Sequence, residues 1–199
     1  VYDTTEPGIT PVSPLNGGNY FNIVTGTASD AGSNIKKVSY SLDNGALWYP
    51  CDLTGSTWTV PYAWVHGSSY DVWLKAEDNA GNVMSTPVQL DGLIADVEGP
   101  TVGTATLQSQ SLKVGTGVTL TLSGIADTGI GTASGQMIIS SEWFTSVTRP
   151  LTYMQNTDNF TIIPTIAGTF TAPIQIVITD SFNNEAIRMV SVGTVTINP

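Results

Sequence analysis

Short runs of alternating apolar and polar residues recur along this chain. Val38, Tyr40 and Leu42 alternate with Ser39 and Ser41, and Tyr70, Val72, Leu74 and Ala76 alternate with Asp71, Trp73 and Lys75. Farther on, Val118, Leu120 and Leu122 alternate with Thr119 and Thr121, and Ile174, Ile176 and Ile178 with Gln175, Val177 and Thr179. A period of two sends successive side chains to opposite faces, so each run predicts a strand with one buried and one wet face. No window holds a helical apolar period with caps. In the first half the pattern predicts strands at 9–13, 20–28, 35–42, 46–49, 57–60, 70–76 and 82–90, with a hairpin at Asp43-Asn44-Gly45. In the second half the strands at 118–122 and 174–178 are clear and the third strand is hard to place. Many short half-buried strands between turn residues predict two packed sheets.

Two similar openings divide the chain. Asp3-Thr4-Thr5-Glu6-Pro7 and Asp96-Val97-Glu98-Gly99-Pro100 each place a proline four residues after an aspartate. Gly26-Thr27-Ala28-Ser29-Asp30 has a counterpart in Gly124-Ile125-Ala126-Asp127, and Ala76-Glu77-Asp78-Asn79-Ala80-Gly81-Asn82 in 178–184. A repeat of about one hundred residues signals duplication of a whole domain. The predicted domains are 1–96 and 97–199.

Composition narrows the function. The 199 residues include six Lys and Arg against sixteen Asp and Glu, a formal net charge of −10. Phosphate recognition needs clustered cations, so no nucleic acid partner is expected. One cysteine, Cys51, permits no disulfide within the chain and no cysteine zinc site. No apolar run is long enough for a membrane-spanning helix, so no membrane insertion is expected in this segment.

The first half resembles the bacterial Ig-like domains that occur in tandem in large secreted and cell-surface proteins. The residues that carry the resemblance are Gly26-Thr27-Ala28-Ser29-Asp30, Val38 to Gly45, Gly67-Ser68-Ser69-Tyr70-Asp71-Val72 and Ala76 to Asn82. The match is weaker over 100–199, where Asn183-Asn184 stands for Gly-Asn. The resemblance implies an all-β chain of two tandem Ig-like (fibronectin III-like) β-sandwich domains, about seven strands each. It implies a non-catalytic spacer, stalk or adhesion module of an exported bacterial protein, extracellular or at the cell surface. Neighbouring repeats of the same chain, a surface protein or a glycan are the partners it implies. The alternative is an accessory carbohydrate- or protein-binding module of a secreted enzyme.

Three motifs are best read as structural, although the first and the last invite a catalytic reading. Ser41-Leu42-Asp43-Asn44-Gly45-Ala46-Leu47-Trp48 fits a single Asp box, which is a hairpin device. Tyr70 after Gly67-Ser68-Ser69 fits a tyrosine corner, and Phe170 after Gly168-Thr169 lacks the hydroxyl to make one. His66, the lone histidine, sits in a connecting loop without a nucleophile elbow.

The carboxylates admit two readings: turn residues that cap their own loops and bind nothing, or ligands of a cation. In an Ig-like sandwich the entry segment and two of the inter-strand loops gather at one end. For the second domain this end is expected to hold Asp96, Glu98, Asp127 and Asp180, a calcium site at the junction. For the first it is expected to hold Asp3, Glu6, Asp30 and Asp78, with Glu77 nearby, a second candidate. Calcium takes six to eight oxygens from carboxylates, carbonyls and amides, and Asn79, Asn82, Asn183 and Asn184 are possible additions. Trp73, outward-facing in its strand, is the candidate ligand-binding residue, with Tyr49, Trp58 and Trp64 as possible extensions of a sugar-stacking platform.

Overall fold

Alternation becomes pairing in the computed structural model, which describes residues 2–14, 20–127, 135–150 and 156–199. The chain divides into two compact units, Val1–Val97 and Glu98–Pro199. In both, the described residues form strands, turns and loops without a helix.

The first unit contains β1 (Gly8–Ser13), β2 (Tyr20–Phe21), β3 (Thr25–Ser29), β4 (Ile35–Ser41), β5 (Tyr49–Pro50), β6 (Asp52–Thr54), β7 (Thr57–Thr59), β8 (Ser69–Asp78) and β9 (Val88–Ala95). One sheet runs β1-β3-β7-β6 and the other β2-β9-β8-β4-β5. The inward residues Val38, Val72, Leu74, Ala76 and Leu90 meet Phe21, Val24, Ala28 and Trp58 in the core. Trp58 is wholly buried. Its ring lies over Gly26, where a Cβ would come within 2.5 Å of the indole and 2.3 Å of the Thr10 carbonyl oxygen.

Three predicted strands are revised. Residues 20–28 divide into β2, which pairs in parallel with β9, and β3, which joins the other sheet. Residues 46–49 belong largely to the hairpin turn, leaving only Tyr49–Pro50 as strand. The final strand begins at Val88 rather than at 82, because Asn82 is consumed in the preceding loop. That strand continues to Ala95 through Asp91-Gly92, where the register against β8 shifts and Gly92 takes φ +63°. A bulge lets the strand run on past residue 90, at which the pattern ends it.

The second unit contains β10 (Thr104–Leu107), β11 (Ser111–Lys113), β12 (Val118–Ser123), β13 (Gln136–Ser141), β14 (Phe144–Pro150), β15 (Thr157–Ile162), β16 (Gly168–Phe170), β17 (Ile174–Thr179), β18 (Glu185–Val190) and β19 (Val195–Asn198). The pairings β10-β12-β15 form one sheet, and β14-β13-β17-β18 and β11-β19-β16 the others. This repeats the neighbour order of the first unit, with two long strands interrupted. Thr171-Ala172-Pro173 separates β16 from β17, since proline offers no N–H to a ladder. Residues 191–194 separate β18 from β19. The core is built from Leu120, Leu122, Met137, Ile139, Trp143, Phe160, Ile162, Ile174, Ile176 and Ile178. The third strand that sequence left unplaced is β13, where Met137 and Ile139 point inward.

Candidate functional site

The entry segment and two loops meet at one end of the first unit. Asp3 lies in the entry segment, Asp30 in the loop between β3 and β4, and Asp78 at the end of β8. Each offers a carboxylate oxygen, and these oxygens all lie within 4.8 Å of one another. The loop backbones aim them. Asp30 Oδ2 accepts the N–H groups of Gly32 (2.9 Å) and Ser33 (2.7 Å), an Asx turn. Asp78 Oδ1 accepts the Asn82 N–H (2.8 Å), and Asp78 Oδ2 accepts the Asn82 side-chain amide (2.7 Å). The same amide donates to the Asp3 carbonyl oxygen (3.2 Å), which ties the entry segment to the β8–β9 loop. Gly32 lets the β3–β4 loop lie against Asp3, because a Cβ there would meet the Asp3 carboxyl carbon at 2.4 Å.

These bonds leave two oxygens unaccounted for. Asp3 Oδ2 and Asp30 Oδ1 are shut off from solvent and accept no hydrogen bond among the described residues. Ser33 N–H chiefly holds the Asp30 carboxyl below the usual carboxylate range, against burial and the neighbouring charge of Asp78. Asp78 is wholly buried. Burial pushes its pKa up, but the bonds from Asn82, with help from Ser33 and Gly81, outweigh that push and hold it low. Both groups are therefore anions side by side at neutral pH.

Two acidic neighbours expected here turn elsewhere. Glu6 accepts the N–H (2.9 Å) and hydroxyl (3.0 Å) of Ser85. Glu77 bridges Lys36 (2.6 Å) and Lys37 (2.7 Å), chiefly Lys36, and that pairing lowers its pKa.

The second unit repeats the loop clasp. Asp180 Oδ1 accepts the Asn184 N–H (2.9 Å) and Asp180 Oδ2 the Asn184 amide (2.7 Å), as Asp78 does with Asn82. The residue before each asparagine takes positive φ, Gly81 at +94° and Asn183 at +65°. Asp127 and Asp180 bring carboxylate oxygens within 4.8 Å of each other. Of the remaining candidates, Asp96 closes the first unit, with its N–H on the Phe21 carbonyl (2.7 Å) and its carboxylate 3.6 Å from His66 Nδ1. Glu98 opens the second unit as an exposed side chain.

The aromatic candidates disperse. Trp73 is half-buried on the outer face of β8, between Ser41 of β4 and Gln89 of β9. Trp58 is in the core, which removes it from any surface platform. Trp64 packs against Phe21 (4.8 Å), Tyr62 (4.9 Å) and Tyr70 (4.9 Å). Trp48 lies under Lys75, whose Nζ is 3.9 Å from its ring centroid, a contact sequence did not suggest.

The motifs are structural. In the Asp box the Ser41 hydroxyl donates to Asp43 Oδ1 (2.7 Å) and accepts the Gly45 N–H (2.9 Å), while Asp43 Oδ1 also accepts the Leu47 N–H (2.9 Å). The Tyr70 hydroxyl accepts the Val65 N–H (3.0 Å), closing the corner. His66 Nδ1 accepts the Val97 N–H (3.3 Å), so this nitrogen is committed to the backbone.

No family model matches the chain, and no curated protein sequence matches it. Solved structures do. Domains of titin are similar over 98% of this chain and 67% of that one, at 11% identity and a TM-score of 0.53. Fibronectin(III)-like modules of Clostridium thermocellum CbhA are similar over 96% of this chain and 95% of that one, at 15% identity and a TM-score of 0.44. A structure from a 1.5-MDa bacterial ice-binding adhesin is similar over 98% and 66%, at 13% identity and a TM-score of 0.39. At such identities the titin likeness speaks to fold alone. The chain is an all-β, Ig- and fibronectin III-like sandwich protein.

Proposed function

We propose that this chain is a non-catalytic structural or adhesion module of an exported bacterial surface protein, and that Asp3, Asp30 and Asp78 bind calcium. What carries the metal reading is the pair of desolvated oxygens, Asp3 Oδ2 and Asp30 Oδ1, which have no donor among the described residues. An anionic oxygen removed from water and left unpaired is costly, and a cation is the partner that satisfies several at once.

The donor set fits calcium. All three donors are carboxylate oxygens, as a hard cation requires, and neither histidine nor thiol is among them. Two ligands held about 2.4 Å from one ion lie at most about 4.8 Å apart. The three oxygens meet that limit. Bound there, calcium would neutralise the cluster and tie the entry segment to two loops. The repeated clasp at Asp180, with Asp127 beside it, makes that end of the second unit a further candidate locus. A module that spaces or displays other parts of a surface protein needs stiff ends more than an active site, and its partners would be neighbouring repeats, a surface protein or a glycan.

The test is isothermal titration of the calcium-free chain with calcium. Heat that disappears in Asp30→Asn supports the site. No heat in the parent chain would sink it.

A further inference from the structure

The basic residues of the first unit gather at one place. Against ten acidic residues the unit holds only Lys36, Lys37 and Lys75, all on β4 and β8. Lys37 lies opposite Glu77 and Ser39 opposite Lys75, so Lys37 and Lys75 are diagonal neighbours on the outer face. Glu77 binds both Lys36 (2.6 Å) and Lys37 (2.7 Å), so one carboxylate serves two ammoniums. Lys75 has no carboxylate partner among the described residues. The Trp48 ring, its centroid 3.9 Å from Lys75 Nζ, holds that charge in place without neutralising it. The fold does not demand this arrangement. With Asp78 aligned on Asp180, the second unit builds the same strand pairing with Gln136 for Lys37, Val177 for Lys75, Thr179 for Glu77 and Gln175 for Trp73.

A cavity of about 100 Å³ lies among these side chains, lined by Lys37, Ser39, Lys75, Ala76, Glu77 and Val83. Ser39 is 8% exposed, and its hydroxyl has no hydrogen-bond partner among the described residues. At about 30 Å³ per water the cavity has room for roughly three waters, or for one carboxylate or sulfate group. Trp73 stands two residues from Lys75 on the same face, about 7 Å along the strand, and is half-buried between Ser41 and Gln89. Past Trp73 the face turns acidic, with Asp71 and Asp91 both exposed.

We propose that this face binds a glycan carrying a single acidic sugar. The acid group occupies the cavity at Lys37, Lys75 and Ser39, and the adjoining neutral sugar lies over Trp73. Charge selects an anion, because three ammoniums face one carboxylate. In physiological salt the Debye length is about 8 Å, so this local surplus acts while the more distant acids of the unit are screened. The indole selects a sugar over an acidic peptide, since its apolar face can stack a sugar ring. Asp71 and Asp91 select against a polyanion, whose further charges would fall beside them. The proposal gives chemical character to the glycan partner named above. It rests on the reading of the chain as a surface module and draws nothing from the calcium site.

Isothermal titration of the full chain with sialyllactose and with cellobiouronic acid tests this. The buffer contains EDTA, so failure here and failure of the calcium site read out separately. At least one acidic sugar is expected to bind, with heat that saturates by about 10 mM. Lactose, cellobiose and a hexaglutamate peptide should bind at least tenfold more weakly. Lys75→Gln and Trp73→Ala should each weaken binding at least tenfold, while Lys113→Gln, in the second unit, should leave it unchanged. Circular dichroism checks that the variants fold, and Lys37→Gln, at a side chain 53% exposed, replaces either one that does not. The proposal is overturned if neither acidic sugar binds, or if the neutral sugars or hexaglutamate bind as tightly. It is overturned too if binding survives the folded face variants.

Discussion

Replacing Asp30 by asparagine separates the calcium reading from a purely structural one. In Asp30→Asn the side-chain amide oxygen can still accept the Gly32 and Ser33 N–H groups that Asp30 Oδ2 accepts now. The loop should therefore survive, and removing one of three neighbouring anions should leave stability without calcium about unchanged. What the substitution removes is a charged donor to the ion. Oxygen sites of extracellular modules bind calcium with constants of about 0.1–1 mM. At 10 mM calcium the folded unit would gain about 1.4 to 2.7 kcal/mol over that range. For a unit of this size each kcal/mol moves the melting temperature by about 4–8 °C, so the rise should be roughly 6–20 °C. Tryptophan fluorescence is the assay, because Trp48, Trp58, Trp64 and Trp73 lie in the first unit and only Trp143 in the second. The parent chain should show the rise and Asp30→Asn should lose it, with magnesium at equal concentration as the control. The sign with pH is set by the lowered pKa values of Asp30 and Asp78. Groups ionising lower in the folded unit keep their charge as pH falls, so the calcium-induced rise should persist from pH 7 to about 5 and vanish once pH falls through their lowered values. The reasoning fails if calcium does not shift the tryptophan transition, if Asp30→Asn shifts as the parent does, or if magnesium serves equally well.

Other outcomes follow from single contacts. Tyr70→Phe removes the acceptor of the Val65 N–H and should cost the first unit about 0.5–1.5 kcal/mol, read as a lower urea midpoint of the tryptophan signal; an unchanged midpoint would discount the corner. Gly26→Ala drives a methyl into the Thr10 carbonyl and the Trp58 ring, so a loss of about 1–3 kcal/mol or more is expected, and a neutral result would show that the two sheets yield there. Burial pushes the Cys51 thiol up to about 12 from its reference value of 9.0. It should resist a thiol-reactive disulfide reagent at pH 8 until the unit is unfolded; rapid native labelling would contradict that burial. Since the native thiol ionises later than the unfolded one, its contribution to stability is full below about 9 and declines as pH rises toward 12.

Legibility in the sequence followed burial. Strands buried on one face alternate cleanly, and β4, β8, β12 and β17 were readable for that reason. The edge pieces β5 and β6 bury little and show no period. The loss of register at Gly92 is invisible to periodicity, because a bulge breaks the period it would be read from. The acidic end was legible because fold topology brings entry segment and loops together whatever their exact bounds. Which carboxylates converge was not: Glu6 and Glu77 are as near in sequence as Asp3 and Asp78, yet Ser85 and the two lysines draw them away. Trp58 misled because a three-residue strand gives too few positions to tell which face is inward.

The two units locate what constraint acts on. Both keep the Asp-to-Asn clasp with the same bonds at nearly the same lengths, Asp78 with Asn82 and Asp180 with Asn184. The positive-φ residue changes from Gly81 to Asn183, the two residue types that tolerate that backbone. The corner hydroxyl of Tyr70 has become a hydrogen at Phe170, and the ionic outer face of β4 and β8 has become the uncharged face of β13 and β17. A loop device needed only for folding has no more claim to survive than a corner that closes another loop. The clasp survives where the corner does not, and its distinguishing feature is that it holds a wholly or nearly buried carboxylate at the end of a strand. At Asp78 the Asn82 bonds outweigh the cost of burial, so the clasp keeps a desolvated anion in place at the strand's end. A charged oxygen held in place at the same point of both units is a donor that a cation could use, and in the first unit Asp3 and Asp30 bring their oxygens to it.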